Sequence, residues 1–439
     1  MNHPSTTALL TDHYELTMLE AARTSGVADR RATFELFARR LPKGRRFGVV
    51  GGIGRAIDAI GAFRFHDEEL DWLTRQRFLT TDTVDWLAHY RFAGDVHAYA
   101  EGDLYFPHSP VLRVDATFGE AVILETLLLS ILNHDSAIAA AAARMVAAAD
   151  GKPLIEMGGR RTHEEAAVAA ARTAYLCGFA STSNLEAGRR HGIPTQGTAA
   201  HAFTLAHDDE LQAFRAQVAA AGPGTTLLVD TYDTAQGIRN AVEAARPAQP
   251  GAIRIDSGDP AAEAVRARHL LDELGATTTR VVVTGDMDEY TIEDLVADGA
   301  PIDGYGVGTR LVTGSGHPTA GFVYKLVAIE QADGTNRDVA KTSVGKANAS
   351  GRKDAYRTFD PDTGFATGEH LVAAGALPSF GPGEARKLQR PHIVDGEVVF
   401  RPTNDEIRAT HRAAMAELRP LDRTTNAGPP VLAATLQED

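Results

Sequence analysis

From residue 153 onward, short apolar runs recur at intervals of roughly twenty-five to forty residues, and most run into Gly, Asp or Thr before a helical pattern begins. The runs are Leu154-Ile155-Glu156, Ile193-Pro194-Thr195, Leu227-Leu228-Val229, Ile253-Arg254-Ile255, Val281-Val282-Val283 and Tyr305-Gly306-Val307. Strand then helix, repeated in this way, predicts parallel strands with crossover helices. The number of units suits a barrel or a doubly wound sheet, and a barrel is the expected form. In barrels the groups that do chemistry sit where strands end, and Asp230, Asp256, Gly285-Asp286 and Gly308-Thr309 fall at those ends.

The earlier part of the chain has a different period. Ala32-Thr33-Phe34-Glu35-Leu36-Phe37 alternates like a half-buried strand, and residues 95–100 predict another, with helices between. Residues 120–133 read as a strongly apolar helix joining this region to the barrel, and residues 135–149 as a second, Ala-rich helix. After about residue 328 short strands and turns return, at Asp333-Gly334, residues 360–364 and Asp395-Gly396. The expected architecture is therefore an α/β chain of two domains. An irregular parallel α/β barrel covers 126–334, and a second α/β (α+β) domain combines 1–125 with a returning tail, 335–439. The stretch 424–439 is expected to be held by contact or loose. No internal repeat is visible.

Length agrees with this division, since 439 residues at about 150 per domain suggest two or three units. A formal charge of -14 argues against non-specific binding to nucleic acid or to an anionic membrane surface, although local basic patches can still hold small anions. Cys177 is the single cysteine and has no internal partner. The first residues carry no long apolar stretch that reads as a signal peptide, and no run matches the roughly eighteen uncharged apolar residues of a membrane span. A reducing cytoplasm is the expected compartment.

Absences narrow the chemistry. There is no G-x-x-x-x-G-K, no G-x-G-x-x-G after a strand and no H-E-x-x-H; His163-Glu164-Glu165 continues into Ala, and one cysteine excludes a cysteine-rich zinc site. What remains is acids, glycines and arginines at strand ends, a kit for a phosphorylated sugar and magnesium. In Arg254-Ile255-Asp256-Ser257-Gly258-Asp259, alternation puts Arg254 and Asp256 on one strand face with Ser257 in the following turn. The Arg offers two donors to a carboxylate or phosphate, and the Asp can orient a magnesium shell or a ribose hydroxyl. An internal ion pair closing the barrel end explains the same residues equally well. Asp230 and Asp233 likewise either face one pocket or cap the next helix. Gly285-Asp286 and Gly306-Val307-Gly308-Thr309 are turns whose amides can wrap a phosphate, with Thr309 adding a hydroxyl. Gly197-Thr198-Ala199-Ala200-His201 sets a histidine beyond a strand. A lone histidine is more often structural, and His163, His191 and His207 are placed in that class.

Taken in order, Thr11-Asp12-His13-Tyr14-Glu15-Leu16-Thr17-Met18, residues 156–161, Thr182-Ser183-Asn184, residues 197–201, 254–259 and 306–309 resemble the nicotinate phosphoribosyltransferase family. The resemblance runs from about residue 11 to about 357, and the Thr-Ser-Asn segment and Gly-Thr-x-x-His spacing are closer to it than to the related nicotinamide enzymes. It implies ATP-coupled synthesis of nicotinate mononucleotide and pyrophosphate from nicotinate and phosphoribosyl pyrophosphate, the first step of NAD salvage from nicotinate. By the same resemblance His201 is the histidine phosphorylated by ATP, Tyr14 stacks on the pyridine ring from a partner subunit of a homodimer with a shared site, and Thr198 and Arg254 contact nicotinate. Gly308 and Thr309, with Gly285 and Ser257, serve the phosphosugar; Asp230 and Asp256 serve magnesium pyrophosphate or the ribose hydroxyls; Arg160 and Arg161 are carboxylate or phosphate contacts, Arg161 ranking below Arg254 for nicotinate. Two departures stand out. Met157 occupies a position where many relatives have an aromatic, and Ser181 replaces a glycine before Thr182.

Two other classes compete. A silent relative that senses a nucleotide or phosphosugar without turnover is opposed by the retention of His201 and the Arg254/Asp256 pair. A barrel aldolase or isomerase calls for a Lys or Glu at a strand end, whereas Lys325 and Lys341 lie beyond the last barrel run.

Overall fold

The computed structural model describes residues 6–341, 349–376, 380 and 384–436. The chain divides into two compact units, one of Met1–Ala140, Thr319–Asp422 and Asn426–Asp439, the other of Ala141–Pro318 with Arg423–Thr425. The joins read from sequence were 125/126 and 334/335; those found by contact are 140/141 and 318/319.

The first unit is built on a seven-stranded antiparallel sheet ordered Asn336–Asp338, Phe322–Glu330, Arg31–Ala38, Leu112–Thr117, Asp95–Tyr99, Gln389–Val394, Glu397–Val398. Strands from the tail thus flank strands from the first part of the chain. The alternation in Arg31–Ala38 predicts one wet face, but all residues after Arg31 are buried. Its polar positions are satisfied inside instead: the Thr33 hydroxyl donates to Asp115 at 2.7 Å, and Glu35 pairs with Lys353 at 2.9 Å.

The two helices expected at 120–133 and 135–149 form one, Glu125–Ala148, after a short turn of helix at Phe118–Val122. Nothing at Asn133-His134-Asp135 breaks it, because the Asp135 carboxylate points away to accept from Arg55 at 2.7 and 2.9 Å and pairs with His134 at 2.7 Å. This is the one helix among the described residues that is long and apolar enough to cross a membrane, and 72% of its apolar window is buried inside the protein. It reads as a core helix.

A smaller sheet runs Ala385–Lys387, Lys353–Phe359, Ala366–Ala373, Ala434–Leu436. The final strand pairs in parallel with Ala366–Ala373, so residues 434–436 are held by contact. Beneath it lies a buried ionic network. Arg357, with its side chain 1% exposed, reaches Asp103 at 2.9 Å, Glu369 at 3.0 Å and Glu417 at 2.8 Å, while Arg386 reaches Asp103 and Glu417 at 2.7 Å each.

The second unit is the barrel. Its strands are, in chain order, Leu154–Glu156, Ser181–Thr182, Thr226–Leu228, Ala252–Ile255, Arg280–Val283 and Gly304–Val307. Each is parallel to its neighbours, the first pairing with both the second and the sixth. Third to sixth follow in sequence order, so the sheet curls round and stays open at one seam, between the second and third strands. The run Ile193-Pro194-Thr195, expected as a strand, contributes only an isolated bridge from Thr195 to Thr182 on that open edge. Proline removes a ladder donor there. Aspartates following the strands start the outer helices: Asp233 accepts from Gln236 N at 2.8 Å, Asp259 from Ala261 N at 3.0 Å and Asp288 from Thr291 N at 2.9 Å.

Candidate active site

At the carboxyl ends of the barrel strands, Met157, Arg160, Arg161, Arg254, Asp256, Thr284, Gly285, Asp286, Gly306, Gly308 and Thr309 line a cavity of about 210 Å³. Three guanidiniums face two carboxylates here, so the pocket has an excess of positive charge inside an acidic protein. Two positions require glycine. Gly285 has φ +97°, and a Cβ on it would stand 2.8 Å from the Asp256 carbonyl; a Cβ on Gly306 would stand 2.8 Å from the Met157 sulfur. Gly285 forms a turn and Gly306 lies within the strand Gly304–Val307, so what calls for glycine at both is close packing against neighbouring segments of the barrel.

The arginine side of the cavity is set by Glu156. This buried carboxylate accepts from the Gly158 amide and the Thr182 hydroxyl, both at 2.5 Å, and so fixes the tight turn Gly158–Arg160 from which Arg160 and Arg161 project. Burial raises the Glu156 pKa, against the lowering effect of those two donors.

A second cavity of about 370 Å³ runs inside the barrel and includes Ile155, Met157, Thr198, Arg254 and Val282 in its lining. Met157 and Arg254 border both cavities. Arg254 is half-buried; one terminal nitrogen donates to the Thr198 hydroxyl at 2.5 Å, while its Nε is buried without a partner among the described residues. Burial pushes its pKa down, opposed by Asp256 and Asp230, yet a guanidinium so placed keeps its charge at neutral pH. A buried cationic donor with no acceptor is a costly arrangement that an anionic ligand relieves.

The paired acids beyond the third strand divide their labour. Asp233 caps the next helix, whereas Asp230 turns toward the fourth strand, accepting from the Asp256 amide at 2.8 Å and the Ser257 hydroxyl at 2.6 Å. Ser257 is thus bound to Asp230 and is absent from the lining of both cavities, as is Asp230 itself. The other Asp230 oxygen, Oδ1, is buried with no partner among the described residues. Asp256 instead accepts from the Thr284 hydroxyl.

His201 opens the helix His201–Leu205 and is half-buried. Its Nδ1 lies 3.2 Å from the Thr231 hydroxyl, beside Asp230, which leaves Nε2 as the nitrogen available for chemistry. Tyr14 belongs to the first unit, on the helix His13–Ser25, and is 46% exposed. Burial of part of the ring, with Glu125, Glu15 and Asp12 nearby, pushes its phenol up to about 12, so it is neutral over the physiological range.

The sequence places Asp286 and Gly306 in candidate phosphate-binding turns but gives no role of their own to Glu156 or Thr284. Thr284 carried a usable signal, since it directly follows a barrel strand and precedes a glycine turn. Glu156 carried none beyond its motif, because its role depends on Thr182 from the adjacent strand.

Residues 9–133 match the family described as nicotinate phosphoribosyltransferase (NAPRTase) N-terminal domain. Over 378 residues the chain is 58% identical to a nicotinate phosphoribosyltransferase of Mycobacterium tuberculosis, spanning 84% of this chain and 82% of that one. The chain belongs to the nicotinate phosphoribosyltransferase family. It is accordingly an enzyme of the phosphoribosyltransferase class. A nicotinate phosphoribosyltransferase of Bacillus subtilis is 40% identical over 83% of this chain and 76% of its own length. The fold agrees with that of human nicotinic acid phosphoribosyltransferase, with a TM-score of 0.82 over 97% of each chain at 24% identity.

Proposed function

We propose that this protein joins nicotinate to the phosphoribosyl group of phosphoribosyl pyrophosphate, releasing pyrophosphate and nicotinate mononucleotide, with ATP phosphorylating His201 as the cycle turns. The observation that carries the reading is the pair of cavities meeting at Arg254. One has the arginines and glycine turns suited to a phosphorylated sugar. The other offers a flat-ring ligand the Ile155 and Val282 side chains, the Thr198 hydroxyl and a guanidinium with an unused donor.

In this arrangement the Gly285 and Gly308 turns and Thr309 hold the 5-phosphate, and Arg254 with Thr198 orients the nicotinate carboxylate so that the ring nitrogen points to the anomeric carbon. The nitrogen attacks as pyrophosphate departs, through a transition state with positive charge on the sugar. Holding both partners in line and meeting the leaving charge with Arg160 and Arg161 is the protein's contribution. Met157, at the border of the two cavities, packs on a ring face with its polarisable sulfur.

Asp230 and Asp256 fit a magnesium ion. The unpartnered Asp230 Oδ1 and the exposed Asp256 supply one or two carboxylate oxygens. No group of three or more His, Cys, Asp or Glu forms a dedicated metal cage among the described residues. Held by these carboxylates, magnesium would supply positive charge against the departing pyrophosphate.

His201, with Nδ1 engaged by Thr231, presents Nε2 as the nucleophile toward ATP, and its phosphoramidate is labile enough to be hydrolysed each cycle. Tyr14 is contributed from a second copy in a homodimer, and the reaction takes place in the cytoplasm. The test is to supply magnesium, phosphoribosyl pyrophosphate and either nicotinate or nicotinamide, with and without ATP, and to measure mononucleotide and ADP by chromatography. Product from nicotinate that rises with ATP and is accompanied by ADP is expected. Product from nicotinamide alone overturns the substrate assignment, and loss of magnesium dependence overturns the metal assignment.

A further inference from the structure

Behind the sugar cavity, the two glycine turns are joined by a buried bridge outside its lining. Glu289 is the first residue of the helix Glu289–Ala297, which follows the Gly285-Asp286 turn, and it is fully buried. One carboxylate oxygen accepts from Arg144 Nε at 3.1 Å, and Arg144 is itself buried, with its side chain 1% exposed. Arg144 is held in turn by the Tyr290 hydroxyl at 3.1 Å and the Thr425 carbonyl at 2.9 Å. The other Glu289 oxygen accepts from the Ser315 hydroxyl at 2.5 Å.

Ser315 lies in the loop that continues from Gly308 and Thr309. Its backbone is left-handed, with φ +52°, a conformation serine adopts rarely, and its amide donates to the Arg310 carbonyl at 2.6 Å. The strained backbone places the hydroxyl on the carboxylate, so the hydrogen bond and the conformation support one another. One end of this bridge is anchored four residues after Gly285 and the other six after Thr309. This hydrogen bond spans the gap between the two turns, alongside the outer Arg310–Asp288 pair at 3.9 Å, and Arg144 aims the carboxylate.

We infer that Glu289 and Ser315 are positioning residues that set the spacing of the two phosphate-binding turns, and so tune affinity for the phosphosugar without touching it. The inference rests on the reading that Gly285, Gly308 and Thr309 hold the sugar phosphate. Ser315→Gly is the informative variant: it removes the hydroxyl while keeping, and easing, the left-handed backbone. Ser315→Ala removes the hydroxyl and keeps the strain. Both variants should raise KM for phosphoribosyl pyrophosphate about tenfold, the worth of one charge-assisted hydrogen bond, while KM for nicotinate changes by less than about twofold. A purely structural role would instead lower the melting temperature and move both constants together.

Thr309→Val is the companion measurement. If it raises KM for phosphoribosyl pyrophosphate and Ser315→Gly does not, the bridge is overturned and the phosphate assignment stands. If neither variant changes that constant, the phosphate assignment itself is wrong. A selective rise in both supports the bridge.

Discussion

Replacing Arg254 by Gln tests how the protein distinguishes a carboxylate from a carboxamide. In the structure one guanidinium nitrogen is satisfied by Thr198 at 2.5 Å and Nε is buried and unused, so a bound carboxylate gains at least one donor that water does not reach. Hydrogen bonds to charged groups are worth roughly 1.5–3 kcal/mol against 0.5–1.5 for neutral pairs. Deleting a charged contact of this kind should cost nicotinate about 2–3 kcal/mol, which at 1.4 kcal/mol per decade is about a 30- to 150-fold fall in kcat/KM. Nicotinamide presents one neutral oxygen to the same site and should lose about tenfold or less. Selectivity therefore narrows, and Arg254→Lys, which keeps the charge but not the planar fork, should fall in between. The assay is steady-state kinetics with each pyridine at saturating phosphoribosyl pyrophosphate, alongside thermal melting to confirm folding. Should both pyridines lose the same factor, Arg254 acts on a step common to them and does not read the carboxylate.

Three further outcomes are expected. His201→Ala should abolish ADP formation and the stimulation by ATP while leaving slow synthesis without ATP; full ATP-stimulated turnover in the variant would remove the phosphohistidine from the scheme. Tyr14→Ala should raise KM for nicotinate about 2- to 12-fold, the range for loss of one aromatic stack at roughly 0.5–1.5 kcal/mol, and an unchanged constant would dismiss the stacking role. Asp103 carries a pH dependence. Burial alone would raise its pKa, but Arg357 and Arg386 hold it below the ordinary carboxylate value. Its stabilising contribution is thus present above an unfolded pKa of about 3.9 and is lost as pH falls through the lower folded value. Asp103→Asn should cost about 3–5 kcal/mol in chemical denaturation at pH 7, and the gap from the unmodified protein should begin to narrow below about pH 4 and close only below the lower folded value; a gap that does not narrow in acid would refute the assignment.

The barrel was legible because its signals are local. A short apolar run followed by Asp or Gly and a helical period marks a strand, a loop and a capped helix, and Asp233, Asp259 and Asp288 fulfil that grammar. The site was legible in part. Strand-end position brought Arg254, Asp256, Gly285, Gly308 and Thr309 to notice, and one cavity contains them all with Arg160 and Arg161. The sequence left the purpose of the acids open, and the structure separates a cap at Asp233 from a carboxylate at Asp230 that braces the next strand. Side chains whose partners come from distant positions were not readable. Glu156 needs Thr182, and Glu289 needs both Arg144 and Ser315, so neither stands out from other acids in the chain. Periodicity also misjudged Arg31–Ala38, where alternation marks two buried faces differing in polarity, because Asp115 and Lys353 supply internal partners for Thr33 and Glu35. The helix at 125–148 was split by its polar residues for the same reason: the partner of Asp135 is Arg55, 80 positions away.

The interleaving of early and late strands has a consequence for the nascent chain. Arg31–Ala38 is flanked on one side by Phe322–Glu330, and Asp103 waits for Arg357 and Arg386, so the first unit has no complete core until most of the polypeptide has left the ribosome. The barrel strands, from Leu154–Glu156 to Gly304–Val307, emerge without interruption and can pair with one another first. During synthesis the edge of Arg31–Ala38 therefore waits for the translation of about two hundred and eighty residues before Phe322–Glu330 covers it, at roughly 5–20 residues per second. This interval is a window for chaperone capture or aggregation, and it is set by topology before any catalytic property comes into play.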